Sequence, residues 1–199
     1  MKAIETEYNG YRFRSRLEAR WAVFFDKMGI RYEYEPEGLV LSDGTYYLPD
    51  FYLPDFHCYF EVKRAGLGKE ETRVAIDKIS AGWTADEWAG VICFGDPVDD
   101  RLLIFCQETD DGGGGGYDEI VTFGFDPRTG NPTLFAWDDY GDRVFWTSLV
   151  EDDSAIIPMI TNEGHTIKYD DVVTKRVIEA RKAARQARFE HGKRPVTRE

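Results

Sequence analysis

The chain has 199 residues, of which 42% are hydrophobic and 15% aromatic, enough to pack one domain with an appendage or two small domains. Its formal charge of −12 argues against a general nucleic-acid coat protein, because phosphate binding normally needs a basic surface. A polar N-terminus and the lack of any apolar run near 20 residues predict a soluble, cytoplasmic protein without a membrane partner, and three scattered cysteines agree with a reducing compartment.

The first elements predicted are a lead-in strand at Met1 to Arg12 and a helix over residues 15 to 29. Ser15 and Glu18 have the spacing of a capping box, in which the glutamate reaches back to the start of the helix, and this role alone would explain Glu18. Glu18 also borders the apolar stripe, so its carboxylate could instead point toward a functional site in the sheet. Both roles stay open. The residues expected to be buried in the stripe are Leu17, Trp21, Phe24, Phe25 and Met28.

A hairpin follows, after short strands at residues 31 to 35 and 39 to 41 and a turn at Asp43-Gly44. Its two strands are predicted at residues 46 to 53 and 58 to 63, because both segments are rich in aromatic and β-branched residues and a short Pro-Asp-Phe-His connection separates them. In antiparallel register Asp50, in the middle of its strand, lies opposite Glu61, and opposed Cβ atoms are about 4.5–5.5 Å apart. The two-residue period places Lys63 on the same face as Glu61.

The sequence Leu-Pro-Asp-Phe occurs twice, at residues 48 to 51 and 53 to 56, so two aspartates compete for the functional role. Pro-Asp is ordinary turn chemistry, and Asp55 falls where the hairpin must reverse. Asp50 is therefore the candidate ligand, and Asp55 is expected in the turn.

Two facing carboxylates suit a hard divalent cation such as Mg²⁺, which takes one or two protein carboxylates and completes its shell with water and phosphate oxygens. Such an ion acidifies a bound water and stabilises charge on a phosphate. Asp50 and Glu61 fit the ligand role, and Lys63 is placed to orient or deprotonate the attacking water.

Pro49-Asp50 followed by Glu61-Val62-Lys63 resembles the PD-(D/E)XK nuclease superfamily over roughly residues 10 to 95. The resemblance implies an α/β fold with a restriction-endonuclease-like mixed β-sheet core flanked by helices. It implies a Mg²⁺- or Mn²⁺-dependent endonuclease that hydrolyses DNA phosphodiester bonds, with Asp50, Glu61 and Glu18 at the metal and Lys63 at the water. It is closest to small phage and mobile-element enzymes of the junction-resolving type, which implies structure-specific cutting, a homodimer by analogy, and the host cytoplasm for a phage-encoded protein.

The sequence after the hairpin indicates further strands and a basic C-terminal helix. An amphipathic helix is expected at residues 70 to 80, central strands at 88 to 94 and 102 to 106, and a β-meander at 118 to 148. The division expected is a nuclease core at 1–108, a glycine-rich connection at 109–117, a β-rich extension at 118–168 and a C-terminal basic helix and tail at 169–199, whose helix spans residues 171 to 191.

Basic residues that could contact nucleic acid fall in three places: the start of the first helix, the segment after the hairpin, and the C-terminal helix. Residues 171 to 199 carry nine Lys or Arg against four Asp or Glu, so the tail is the basic part of an acidic chain. The helix could follow a DNA backbone or pack on the acidic body by charge complementarity, and the other arginines could be ordinary surface residues. The candidates are Arg14, Arg16, Arg20, Lys69, Arg181 and Arg185.

Other chemistry is poorly supported by the sequence. The three histidines are scattered, the cysteines lie singly in apolar strands and are expected to be buried, and the run Gly112 to Gly116 lacks the ending of a phosphate loop. Tyrosines at 46, 47, 52 and 59 and Trp83 could stack on bases, but packing is the favoured role. Two alternative functions stay open: a non-catalytic binding module that kept a nuclease-like fold, such as a phage or host-defence regulator, and a nuclease that acts on RNA.

Overall fold

The computed structural model describes residues 3–40, 44–68, 70–71, 73–74, 89–97, 102–105, 120–137, 144–146, 157–158, 161 and 163–189. These residues form a mixed α/β structure, so the α/β class is confirmed. The helices are α1 (Arg16–Met28), α2 (Tyr169–Val172) and α3 (Lys175–Gln186). The strands are β1 (Thr6–Tyr8), β2 (Tyr11–Phe13), β3 (Glu33–Tyr34), β4 (Leu39–Val40), β5 (Tyr46–Tyr47), β6 (Phe51–Leu53), β7 (Cys58–Lys63), β8 (Ala89–Phe94), β9 (Leu102–Phe105), β10 (Ile120–Phe125), β11 (Pro132–Trp137), β12 (Val144–Trp146) and β13 (Ile157–Pro158).

Nine of the described strands form one sheet in the order β13-β12-β11-β10-β9-β8-β7-β6-β3. Within it β7 and β8 pair in parallel, and the other neighbours pair antiparallel. The strands β10 to β13 form a meander that continues the same sheet as the motif-bearing strand β7. The ladders β1-β2 and β4-β5 are separate two-stranded ribbons.

The N-terminal segment is a hairpin, and the prediction of a single lead-in strand from Met1 to Arg12 is wrong. The chain reverses at Asn9-Gly10, where φ is +49° and +82°. A tight two-residue hairpin turn of this kind requires positive φ at both positions, which asparagine and glycine tolerate. The turn brings β2 back beside β1 and directs the chain into α1.

Helix α1 begins and ends where the sequence predicts. Ser15 is the N-cap, and its hydroxyl accepts a hydrogen bond from the Glu18 amide at 3.2 Å; Gly29 ends the helix with φ +77°. The apolar stripe packs on the sheet, with ring centroids of Trp21 and Phe60 at 4.8 Å and of Phe25 and Phe51 at 5.5 Å. The predicted stripe is buried, except that Leu17 is only half-buried.

The predicted strand from Tyr46 to Leu53 is broken in two, which corrects the expectation that Asp50 lies in mid-strand. Residues 48 to 50 form a bend between β5, which pairs with β4, and β6, which pairs with β3 and β7. Pro49 has no amide hydrogen to give to a ladder, so the strand is interrupted there. The predicted register nevertheless holds, because Phe51 pairs with Phe60 and the next position sets Asp50 opposite Glu61.

The predicted C-terminal helix over residues 171 to 191 is interrupted in the structure. The β-branched pair Val173-Thr174 leaves the helical conformation between α2 and α3. Helix α3 packs on α1 and β10 through its predicted apolar side, which includes Val177, Ala180 and Ala184. Gly124 in β10 permits the close approach of α2, because a Cβ atom there would lie 2.7 Å from the Val172 carbonyl oxygen.

Several predictions concern residues outside the described ranges. These are Lys69, most of the helix expected at residues 70 to 80, Trp83, Trp88, Cys106, the glycine run at 112 to 116, the turn cluster at 138 to 142, and His191. Within the described part of the chain, no helix combines the length and apolar character needed to cross a bilayer.

Candidate active site

Asp50 and Glu61 meet where the bend before β6 lies beside β7. The Asp50 amide donates to Glu61 Oε2 at 3.3 Å, and Asp50 Oδ2 accepts from the Val62 amide at 2.8 Å. Both residues are buried, with 3% and 5% of their surface exposed. Each carboxylate is thus fixed by the backbone of the segment that carries the other, and the hairpin register makes this exchange possible.

The electrostatics of Asp50 differ from those of an ordinary aspartate. Burial, followed by the negative charge of Glu61, raises the pKa of Asp50 to about 7, although the Val62 hydrogen bond and the Lys63 charge oppose the shift. Glu18 adds a smaller contribution in the same direction. A buried carboxyl group whose neighbours are also acidic is costly for the fold, and such groups concentrate at functional sites.

Two cations balance the acidic pair. The Lys63 ammonium contacts Glu61 Oε1, as expected from their shared strand face. The Arg14 guanidinium contacts Asp50 Oδ1 and also binds Glu35 Oε1 through Nε at 2.7 Å. The Arg14 side chain is 54% exposed, so it lies at the mouth of the site, whereas the two carboxylates lie inside it.

Tyr47 contacts the site, although no sequence pattern separates it from the other tyrosines. Its hydroxyl donates to Glu61 Oε2. Burial and the charge of Glu61 raise the pKa of Tyr47 well above its ordinary value, so the phenol stays protonated and remains a donor. No local pattern distinguishes Tyr47 from Tyr46; the contact joins residues of β5 and β7 that are 14 positions apart.

Glu18 is held mainly by partners of its own helix and of β3. Its Oε1 accepts from Ser15 Oγ at 2.6 Å, and its Oε2 accepts from the Tyr34 hydroxyl at 2.7 Å and from the Arg14 amide at 3.1 Å. Ser15 caps the helix as predicted, but the Glu18 carboxylate binds the Ser15 hydroxyl and the Arg14 amide, one residue before the expected Ser15 amide. Glu18 reaches the acidic pair through Arg14, whose amide it binds and whose guanidinium lies on Asp50.

Glu35 is a second residue that the sequence did not identify. Its φ is +45°, a conformation that costs a residue with a side chain free energy and that concentrates at functional positions. The Glu35 amide donates to the Asp50 carbonyl oxygen at 2.9 Å while its carboxylate binds Arg14. The strained backbone thus ties the mouth of the site to the bend that carries Asp50.

The other basic candidates are distributed differently. Arg20 lies 3.7 Å from Asp96, and Arg16 is half-buried near the start of α1. Arg181 turns toward the sheet and donates to Thr122 Oγ1 at 2.8 Å, whereas Arg185 is exposed on α3. Arg14 is the basic candidate whose contact with the acidic pair the structure gives directly.

Asp55 and the two cysteines within the described ranges, Cys58 and Cys93, behave as predicted. Asp55 lies in the turn Pro54–Phe56, is exposed and pairs with Arg31, whose Nε lies 2.8 Å from Asp55 Oδ1. Burial raises the pKa values of the Cys58 and Cys93 thiols, so they stay protonated and are poor nucleophiles.

The donor chemistry fits a hard divalent cation held by two carboxylates. Across the described ranges, no group of three or more His, Cys, Asp or Glu side chains is arranged as a metal centre, and the role of Glu18 at a metal stays a prediction. Mg²⁺ commonly uses one or two carboxylates and keeps several waters. Asp50 and Glu61 meet that requirement, and the charges of Arg14 and Lys63 at present balance them.

No protein-family model and no curated protein sequence matches this chain.

Proposed function

We propose that this chain is a metal-dependent endonuclease of the PD-(D/E)XK type that hydrolyses phosphodiester bonds of DNA. The observation that carries the proposal is the pair of buried carboxylates, Asp50 and Glu61, fixed by reciprocal backbone hydrogen bonds with Lys63 on Glu61. These are the residue types, in the order and on the adjacent segments, that the resemblance implies.

The two buried carboxylates are not expected to stabilise the fold. Taking two like charges out of water costs free energy, and the attraction of Arg14 and Lys63 only partly offsets it, since the pKa of Asp50 remains raised. Groups of this kind persist where the chemistry requires them, at a cost to the stability of the fold.

Each residue has a distinct task in the proposed reaction. Asp50 and Glu61 would hold a Mg²⁺ or Mn²⁺ ion, which when bound acidifies a water and stabilises charge on the phosphate. Tyr47 donates to Glu61 and fixes the direction of its carboxylate. Lys63 lies on Glu61, where its ammonium can orient the attacking water or donate a hydrogen bond to the phosphate.

Arg14 would contact the substrate once it is released from Asp50. Its guanidinium is half-exposed at the mouth of the site, and a guanidinium matches the geometry of a phosphate group. Because the body of the protein is acidic, binding of DNA should be weak and salt-sensitive without divalent ions. Glu18 and Glu35 keep Arg14 in place from two sides, one at its backbone and one at its side chain.

The test is incubation of the purified chain with linear, nicked, branched and single-stranded DNA and with RNA, in Mg²⁺, Mn²⁺ or EDTA. The natural chain is compared with Glu61→Gln, which keeps the shape of the side chain and removes its charge. We expect cleavage that requires the metal and is lost in the variant. Cleavage that persists in EDTA or in the variant would contradict the proposal. Preferential cutting of RNA would mean that RNA, and not DNA, is the substrate.

A binding measurement adds a separate check. In the natural chain, DNA affinity should be higher in Ca²⁺, which commonly supports binding without turnover, than in EDTA, because Asp50, Glu61 and the substrate phosphate would share the ion. Equal affinity in both conditions would indicate a binding module that does not use a metal.

A further inference from the structure

The ribbon formed by β4 and β5 carries an exposed apolar pair. Tyr46 is 70% exposed and Val40 is 68% exposed, and the two are direct cross-strand partners. The packing role favoured for the tyrosines is right for Tyr59, which is buried, and wrong for Tyr46. A tyrosine that shows most of its surface to solvent has a ring available for a ligand.

One side of the exposed ring lies against Gly38. A Cβ atom at Gly38 would lie 2.2 Å from Tyr46 Cε1 and 2.5 Å from Cζ, so the ring rests directly over the Gly38 backbone. No residue with a side chain could occupy position 38 without displacing the ring. The glycine therefore permits this position of the ring, which leaves the rest of the ring surface open to solvent.

The location of this ring connects it to the candidate active site. Tyr47, the next residue, donates to Glu61, so the ribbon that displays Tyr46 is attached to a site carboxylate. Because side chains alternate along a strand, Tyr46 faces away from Tyr47. A ligand that contacts both positions must therefore extend from the carboxylates around the ribbon, as a strand of nucleic acid can.

We propose that Tyr46, seated on Gly38 and flanked by Val40, is a stacking platform for an unpaired base in the DNA strand that the site cuts. The proposal rests on the proposed function and narrows its substrate class. A base in a continuous duplex has both faces covered by its neighbours, so an aromatic platform selects DNA with unstacked bases close to the cut: single strands, flaps or branch points.

A second copy of the chain is a poorer occupant for this surface. A stable interface needs about 800 Å² from each partner, which is far more than two side chains supply. A nucleobase, in contrast, is of the size of one tyrosine ring and is recognised by stacking whatever its sequence.

The experiment measures binding in the Glu61→Gln background with Ca²⁺, by fluorescence anisotropy of a labelled single strand and of the same strand in a duplex. We expect Tyr46→Ala to weaken binding of the single strand about 5- to 150-fold, the range of a lost base stack, and to change duplex binding less than about 2-fold. Tyr46→Phe keeps the ring and should bind like the parent.

Gly38→Ala provides the matched test of position, because it leaves Tyr46 in the chain and moves its ring. Gly38 does not adopt the left-handed backbone region, so alanine acts there through the ring contact alone. We expect it to reproduce the loss seen with Tyr46→Ala. Urea unfolding of each variant verifies that the fold is retained.

Three results would overturn the platform: unchanged single-strand affinity in Tyr46→Ala, an equal loss for single strand and duplex, or a change in sedimentation that shows Tyr46 at an interface between copies. Other results would contradict the proposed function alone. If the natural chain cuts nothing yet single-strand binding depends on Tyr46, the platform is supported and the nuclease function is wrong.

If the natural chain cuts and Tyr46→Ala cuts every substrate equally well, the nuclease function is supported and the platform is wrong.

Discussion

The two copies of Leu-Pro-Asp-Phe have identical sequences and opposite properties. In the first copy Asp50 is buried and its pKa is raised to about 7; in the second copy Asp55 is exposed and its pKa is lowered. Each aspartate has an arginine partner, Arg14 in one case and Arg31 in the other. An arginine alone therefore does not determine the state of the carboxyl group.

Burial and neighbouring carboxylates decide the difference. Asp50 lies inside the bend next to Glu61, so solvent is excluded and a like charge is close. Asp55 is in an open turn, where partial burial is the largest single effect and raises its pKa, but the side-chain and amide hydrogen bonds and the charge of Arg31 together outweigh it. The contrast teaches that the first copy is costly to the fold and the second supports it, as a functional and a structural motif would be.

Cleavage activity should differ most between the two copies. Asp50→Asn should lower metal-dependent cleavage by about 10²- to 10³-fold or more, because it removes a charged ligand from the transition-state site. Asp55→Asn is the matched control, with the same chemical change in the same sequence context, and should cleave like the natural chain. Initial rates on the best substrate of the DNA panel measure both. Equal losses in the two variants would remove the distinction between the copies.

The phenylalanines of the two copies should differ in their effect on stability. Phe51 is fully buried and packs against the rings of Phe25 and Phe60, whereas Phe56 lies at the edge of the core with its ring centroid 6.0 Å from that of Phe123. Phe51→Ala should lower the free energy of unfolding by about 3–5 kcal/mol, and Phe56→Ala by about 1–3 kcal/mol. Urea denaturation in EDTA compares them. A larger loss of free energy of unfolding in Phe56→Ala than in Phe51→Ala would show that Phe51 is not the more central residue of the core.

The pH dependence of stability should have opposite signs for the two aspartates. The Asp50 pKa of about 7 exceeds the value near 4 of an unfolded chain, so its contribution to the free energy of unfolding is full below pH 4 and is lost as pH rises through 7. Asp55 has a lowered pKa, so its contribution is present above pH 4 and is lost as pH falls through its folded value.

Urea unfolding between pH 3 and 8 without divalent ions measures these contributions. Relative to the natural chain, Asp50→Asn should gain roughly 2–4 kcal/mol between pH 4 and pH 8. Asp55→Asn should lose no more than about 1 kcal/mol at neutral pH, as expected for an exposed ion pair. A natural chain whose stability relative to Asp50→Asn does not change with pH would show that Asp50 titrates normally.

Local sequence rules predict much of the frame around these two copies. The helix bounds follow from Ser15 and Gly29, the hairpin register from the turn at residues 54 to 57, and the face of Lys63 from strand alternation. Each of these features depends on residues close in sequence, so propensity and period suffice to predict it.

The errors and omissions depend on contacts between distant segments. Arg14 reaches Asp50 across 36 positions, and Tyr47 reaches Glu61 across 14, so no local pattern indicates either contact. The break in the strand at Pro49 could have been predicted from the sequence, because a proline cannot donate in a central ladder. The burial of Asp50 in the resulting bend could not, because it depends on the neighbouring strands.

The two arginine partners should differ modestly in how they affect metal binding. Arg14 occupies Asp50 Oδ1, so a divalent ion must displace its guanidinium, whereas Arg31 pairs with Asp55 in an exposed turn. Arg14→Gln should therefore bind Mn²⁺ about 3- to 10-fold more tightly at pH 8, roughly 1 kcal/mol for a half-exposed charge pair, and Arg31→Gln should bind it like the natural chain. Titration calorimetry, with Asp50→Asn as the variant that lacks the ligand, measures the three affinities. Weaker binding in Arg14→Gln would mean that the arginine organises the carboxylates for the ion instead of competing with it. The proposal that Arg14 leaves Asp50 and binds the substrate phosphate would then be wrong.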